Sequence, residues 1–198
     1  VGGKYKLLEH IISIIPKEIE NYHEIFLGGG SVLLAVLSLH QQNKIKIKNK
    51  IYVYDINKKL INCFKQIQKN PEKVYYFVSA LKQVFHSIEK NTLLDEDGNI
   101  IKGSPNVDDT KFTLSREHYY YWIRHLFNIT SETTIKSAAY FIFLNKTGFR
   151  GMYRENKKKE LNIPFGNYKT TPNIITKEEL DIVSNLIKYV IFTSSDFV

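Results

Sequence analysis

Glu24-Ile25-Phe26-Leu27-Gly28-Gly29-Gly30-Ser31 decides the fold, with Asp55 following 25 residues after Gly30. Asn21 to Phe26 reads as a strand, the three glycines as a tight turn and Ser31 to His40 (SVLLAVLSLH) as an apolar helix. A glycine turn lets backbone approach a ligand with no side chain in the way. Tyr52-Val53-Tyr54-Asp55 then reads as a second strand ending in an acid. An acid in that place accepts hydrogen bonds from the two hydroxyls of a ribose. By itself the turn also fits an ordinary strand-to-helix connection; paired with Asp55 it points to a nucleoside-containing cofactor.

The spacing narrows the choice of cofactor. A dinucleotide fingerprint places its third glycine three residues after the second. Counting Gly28 and Gly30 as the first pair, that position holds Leu33, and no Walker lysine follows the turn. The turn is therefore poorly built for a pyrophosphate. S-adenosylmethionine, which has a ribose but no phosphate, fits better.

The chain's 198 residues suit one domain, or one domain with a sizeable insertion. A formal charge of +8 favours an anionic partner, although lysine- and asparagine-rich usage also fits an AT-rich genome. One cysteine, Cys63, excludes an internal disulfide and a cysteine-based zinc site, and beside Leu60 and Phe64 it reads as core. No metal site is expected. No apolar run approaches transmembrane length and no signal peptide is legible, so a reducing, cytoplasmic setting is expected. The chain opens on Val1 rather than Met and closes on Asp196-Phe197-Val198, which reads as a fragment.

Apolar residues at Leu7, Leu8, Ile11, Ile12 and Ile15 predict a helix over Tyr5 to Ile15, closed by Pro16. Ile51 to Ile56 is predicted as the second strand, Lys58 to Lys69 as a helix, and a further helix opens at Pro71. Asn91 to Lys111, with Asp-Gly and Ser-Pro turn signals, reads as a mobile loop. Helices are expected near Ser115 to Phe127 and Glu132 to Leu144, then an irregular loop with a hairpin from Asn145 to Thr171. A helix over Thr176 to Ile187 leads into a strand over Tyr189 to Thr193. Strand–helix units at both ends with helices between them predict an α/β sheet carrying a mostly helical insertion.

Several segments together resemble a Dam-type DNA adenine-N6 methyltransferase along nearly the whole chain. They are Gly2-Gly3-Lys4-Tyr5, the glycine turn, Asp55-Ile56-Asn57 with Leu60-Ile61-Asn62, and Tyr119-Tyr120-Tyr121 with Arg124 and Phe127-Asn128. Leu144 to Asn156 (LNKTGFRGMYREN) and Asn162 to Lys169 (NIPFGNYK) carry the most specific matches. The resemblance implies an incomplete Rossmann-like S-adenosylmethionine methyltransferase sheet, from residues 1–65 and 174–198. It further implies a helical target-recognition domain, 66–173, with a DNA-reading loop and hairpin at 145–171.

Residue by residue, the resemblance places Lys4 near the cofactor and the target pocket, where a solvated lysine is the alternative. Phe26, Gly28, Gly30 and Ser31 would shape the cofactor pocket, and Asp55 would hold its ribose. Asp196 with Phe197 would accept from the cofactor's adenine amino group, though the same short segment also fits a surface acid ending a strand. Double-stranded DNA is the implied partner. Lys146, Arg150, Arg154 and Lys169 would face it, with Phe149 wedging into the base stack, Arg154 reading guanine and Pro164 in the hairpin. Lys157-Lys158-Lys159 would neutralise phosphates or form an ordinary solvated loop. A wedge suits the chemistry, because methylation on N6 requires a flipped adenine. GATC is only a guess for the site, because Arg150 stands where the family often has Asn and Asn167 where Arg is common. Tyr119 to Trp122 reads as packing between helices in preference to base stacking.

The family takes its catalytic acid from Asp-Pro-Pro-Tyr. The five prolines here, Pro16, Pro71, Pro105, Pro164 and Pro172, include no adjacent pair, so no catalytic residue is assigned. The expected function is that of the larger part of a site-specific adenine-N6 DNA methyltransferase, inactive without a carboxyl-terminal part that a separate fragment could supply. A degenerate homologue that binds DNA without catalysis, and a general basic nucleic-acid-binding protein, are the alternatives.

Overall fold

The computed structural model describes residues 7–101 and 111–196. Helix α1 (Leu8–Ile14) precedes strands β1 (Glu18–Ile19) and β2 (Tyr22–Glu24). Helix α2 (Ser31–Gln41), strand β3 (Lys46–Ile47) and strand β4 (Ile51–Asp55) follow, then helices α3 (Lys58–Lys69) and α4 (Pro71–Ser87). Strands β5 (Leu93–Leu94) and β6 (Ile100–Ile101) come before helices α5 (Arg116–Ile129) and α6 (Ile135–Thr147). A short 3-10 turn (Phe149–Gly151), helix α7 (Lys177–Leu186) and strand β7 (Val190–Ser194) complete the order.

The main sheet is parallel, in the order β2-β4-β7. Central β4 alternates as its pleat demands: Ile51 and Val53 are buried towards the helices, whereas Tyr52 and Tyr54 lie on the other face. There His23 stacks on Tyr52, ring centroids 4.8 Å apart. A mixed α/β architecture is thus present. Strand β2 is shorter than its apolar run predicts, because Ile25 and Phe26 face solvent. One more bond, from Leu27 N–H to Tyr54 O at 3.0 Å, extends its register.

Helix starts follow local chemistry. Asn57, Ser115, Thr134 and Thr176 each cap their helices with a side-chain oxygen, and Thr176 with Glu179 forms a reciprocal capping box. Helix α3 buries Leu60, Ile61, Asn62, Cys63, Phe64 and Ile67. It packs on α6 through the small residues Ser137, Ala138 and Ala139, each fully buried, which let the two backbones approach. The Asn62 amide donates to Thr134 O at 2.9 Å across that contact. Sheet, α3 and the helices after it share one continuous apolar core, and residue 65, expected as a domain boundary, lies inside α3.

The expected loop at Asn91 to Lys111 is corrected in its described part by a hairpin of β5 and β6. The Asp95 carboxylate accepts from the Asp97 and Asn99 N–H groups at 3.0 and 2.8 Å, and Gly98 takes φ +82°. Its Asp-Gly signal marks a hairpin turn. Also unforeseen was the parallel pair β1–β3, whose two-residue strands are too short to show a period. Helix α6 runs on to Thr147, taking the start of the expected irregular segment. The predicted hairpin is present beyond it as antiparallel bridges Gly148–Phe165 and Glu155–Leu161. Among the described residues no helix is long and apolar enough to cross a membrane.

Candidate active site and DNA interface

The glycine turn and Asp55 meet. Gly28, at φ +52°, donates its N–H to Asp55 Oδ2 at 3.0 Å, and Asn57 N–H donates to Oδ1 at 2.9 Å. Each carboxylate oxygen retains a further acceptor site. Gly30 takes φ +74° as the residue capping α2, with the Phe64 ring against the place of a Cβ. Between these elements opens a cleft of about 540 Å³. Gly28, Gly29, Asp55 and Asn57 form one wall, and Leu60, Cys63, Phe64 and Ile67 of α3 supply apolar surface. Asn145, Lys146, Gly151 and Tyr153 from the expected reading loop line the same cleft. Burial pushes the Cys63 thiol up to about 12, which keeps it protonated.

The remaining cofactor candidates are dispersed. Ser31 begins α2, and Phe26 is 57% exposed on the opening side of the turn. Asp196 lines a separate hollow of about 480 Å³ with His23, Ile25, Tyr54 and Ser195. Lys4 and Phe197 lie outside the described residues.

The basic candidates form an exposed rim. Lys146 is in the last turn of α6, Phe149 is 40% exposed, and the Arg150 guanidinium lies 5.0 Å from the Phe149 ring centroid. The Arg154 Nε–H donates to Asn162 Oδ1 at 2.9 Å and its Nη2 to Asn162 O at 3.4 Å. This occupies the side edge of the guanidinium and directs the end edge, with Nη1, away from Asn162. Pro164 and Lys169 are exposed, and Pro164 O accepts from Phe149 N–H at 2.9 Å, closing the loop base.

Tyr120, Arg124 and Asn128, which belong to the segments of the resemblance but have no site role assigned from sequence, support the hairpin. On α5, Tyr120 and Arg124 both donate to Ile163 O, at 2.9 and 2.7 Å, and Asn128 bonds both Leu161 N–H and Leu161 O. These three stand at successive four-residue steps, one helix face holding the hairpin's return strand. Tyr119 and Tyr120 are fully buried, which agrees with the packing reading of the aromatic cluster. The four-residue polar spacing was the available signal.

A family model described as D12 class N6 adenine-specific DNA methyltransferase matches residues 1–198. The chain belongs to the D12 class of N6 adenine-specific DNA methyltransferases. It is similar to the type II methyltransferase M.MjaIII of Methanocaldococcus jannaschii, 34% identical over 203 residues covering 99% of this chain and 60% of that protein. It is also similar to the DNA adenine methylase of Haemophilus influenzae, 28% identical over 99% of this chain and 54% of the relative. Type II methyltransferase M1.LlaDCHI of Lactococcus lactis subsp. cremoris is 26% identical over 94% of this chain and 52% of the relative. The D12 chain described here spans a little over half the length of these curated relatives.

Proposed function

We propose that this chain is the cofactor-binding and target-reading part of an S-adenosylmethionine-dependent enzyme that methylates adenine N6 at a short site in double-stranded DNA. The observation that carries the proposal is the meeting of Gly28 and Asp55 in one cleft with residues of the Asn145–Tyr153 segment, from the end of α6 onwards. The cleft volume lies within the range of small-molecule sites. Its donor set suits a nucleoside without phosphates: a carboxylate with open acceptor positions, glycines that admit close approach, and an apolar α3 wall. Gly28, Gly30, Ser31 and Asp55 would hold the cofactor, assisted by Lys4, Phe26, Asp196 and Phe197. When bound, it supplies an electrophilic methyl group.

On this reading β2, β4 and β7 belong to a Rossmann-like sheet, and the 66–173 region reads the target. Arg154 offers its free edge to a base, Phe149 fills the stack, and Lys146, Arg150 and Lys169 neutralise phosphates. The role of Pro164 is to fix the loop base through its carbonyl. GATC is the first site to try. Because the 198 residues hold no adjacent prolines, the Asp-Pro-Pro-Tyr acid must come from another polypeptide segment, in cis or as a second chain. The work of such an enzyme is on intracellular DNA. Calorimetry with S-adenosylhomocysteine and with NAD tests the cofactor choice. Binding of the first and not of the second is expected; the reverse preference overturns the reading.

A further inference from the structure

The segment Tyr153-Arg154-Glu155 crosses between the cleft and the hairpin in extended form, so its side chains alternate in direction. Arg154 points to Asn162 on the hairpin. Tyr153 and Glu155 point the other way, and the Tyr153 hydroxyl donates to Glu155 Oε1 at 2.7 Å. The Tyr153 ring stacks on Phe141 of α6, centroids 5.6 Å apart with planes inclined 28°.

Tyr153 lines the cleft together with Asn57, the N-cap of α3, two residues after Asp55. The two stand on facing elements, and the Asn57 side-chain oxygen caps α3 by accepting from Leu60 N–H at 3.0 Å. Two residues on, Lys59 feels the negative charges of Glu132 and Glu155 without an ion pair to either. It donates to Phe127 O at 2.6 Å and stands 3.9 Å over the Phe127 ring, so its ammonium is fixed from the α5 side. Asn57 in turn is tied to the ligand acid, its N–H donating to Asp55 Oδ1. Two bonded pairs, Asp55–Asn57 and Tyr153–Glu155, therefore meet at the cleft, where Asn57 and Tyr153 both line the wall, and Arg154 lies between the second pair in sequence.

We propose that Tyr153 and Glu155 are positioning residues that dock the base-reading segment onto the start of α3, making cleft occupation and reading by Arg154 mutually dependent. This rests on the proposed function, since it needs both a cofactor in the cleft and DNA at Arg154. A ligand that holds Asp55 and Asn57 in place favours the conformer in which Tyr153 docks. By linkage, DNA that fixes Arg154 favours the cofactor by the same factor.

The test uses the 198-residue chain, S-adenosylhomocysteine, and a duplex selected from a random pool on the chain itself. The dissociation constant of S-adenosylhomocysteine is measured without duplex and at duplex saturation. In the native chain the duplex tightens binding by about fivefold or more. In Tyr153→Phe, which keeps the ring and loses the hydroxyl, and in Glu155→Ala, the ratio falls to within about twofold of unity. A purely structural role would weaken both constants and preserve the ratio, which overturns the inference, as does absence of coupling in the native chain. Failure to bind S-adenosylhomocysteine at all, or to retain any duplex, overturns the proposed function together with it; binding of both without a change in the ratio overturns this inference alone.

Discussion

A methyl group added at Gly30 would lie 2.8 Å from Cζ of Phe64, and at a backbone φ of +74°. The turn thus depends on a missing side chain for two separate reasons, strain and collision. Gly30→Ala should destabilise the fold by about 1–3 kcal/mol. Gly29, with nothing within 4 Å of its added Cβ, is the contrast. Urea unfolding of the two alanine variants checks this; equal midpoints would show that the turn relaxes freely.

Arg154 and the lysine run should separate in their dependence on sequence and salt. Arg154→Ala is expected to lose about 1–3 kcal/mol of preference for the selected duplex over a scrambled one. Lys158→Ala should weaken both duplexes alike and reduce the salt slope by about 1. Competition binding at two salt concentrations distinguishes them. Equal losses on both duplexes for Arg154→Ala would refute base reading.

Cys63 offers a pH prediction. Burial raises its thiol from 9.0 to about 12, so the folded state resists ionisation that the unfolded state accepts. A raised pKa means that its stabilising contribution is complete below pH 9 and is lost as pH climbs towards 12. Relative to Cys63→Ala, native stability should fall by up to about 1.4 kcal/mol per pH unit in that window. Parallel unfolding curves at pH 8 and pH 10.5 measure the difference. A maleimide should correspondingly label Cys63 only on unfolding.

Methyl transfer is expected to be absent from the 198 residues by themselves. Their assigned residues serve binding, and Lys4, a cation, disfavours positive charge growing on the attacking amine. Adding a polypeptide segment that bears Asp-Pro-Pro-Tyr should restore transfer of labelled methyl to adenine-containing duplex, and its Asp→Ala change should abolish it. Sustained turnover by the chain without that segment would show that the catalytic group lies among the residues described here. Lack of rescue would favour a DNA-binding homologue without catalysis.

The elements that positioned the site were legible because their signals are local. Lys58–Lys69 has a helical period with Asn57 as cap, and the Gly28–Ser31 turn needs no distant partner to be recognised. Asp55 was legible as a strand-end acid. Its clamp on Gly28 spans 27 residues, and no pattern in either segment encodes that bond. Tyr153 carries no local signal for the same reason: it stacks on Phe141 of α6 and shares the cleft with Asn57, the cap of α3. The β5–β6 hairpin was lost because its turn residues outweigh two strands of two residues each. Asp196 lines a hollow with His23, Ile25 and Tyr54, an arrangement that strand order alone does not reveal.

The cleft between the Gly28–Gly30 turn and Asp55 is expected to bind S-adenosylmethionine through its ribose. Isothermal calorimetry of S-adenosylmethionine against the native chain and Asp55→Ala tests it most directly, with circular dichroism confirming that the variant is folded. The two ribose hydrogen bonds predict a loss of about 1–3 kcal/mol, or about five- to 150-fold in affinity. A 2′,3′-dideoxyribose analogue should bind native and variant alike. Unchanged S-adenosylmethionine affinity in a folded Asp55→Ala chain would show that Asp55 does not hold the ribose.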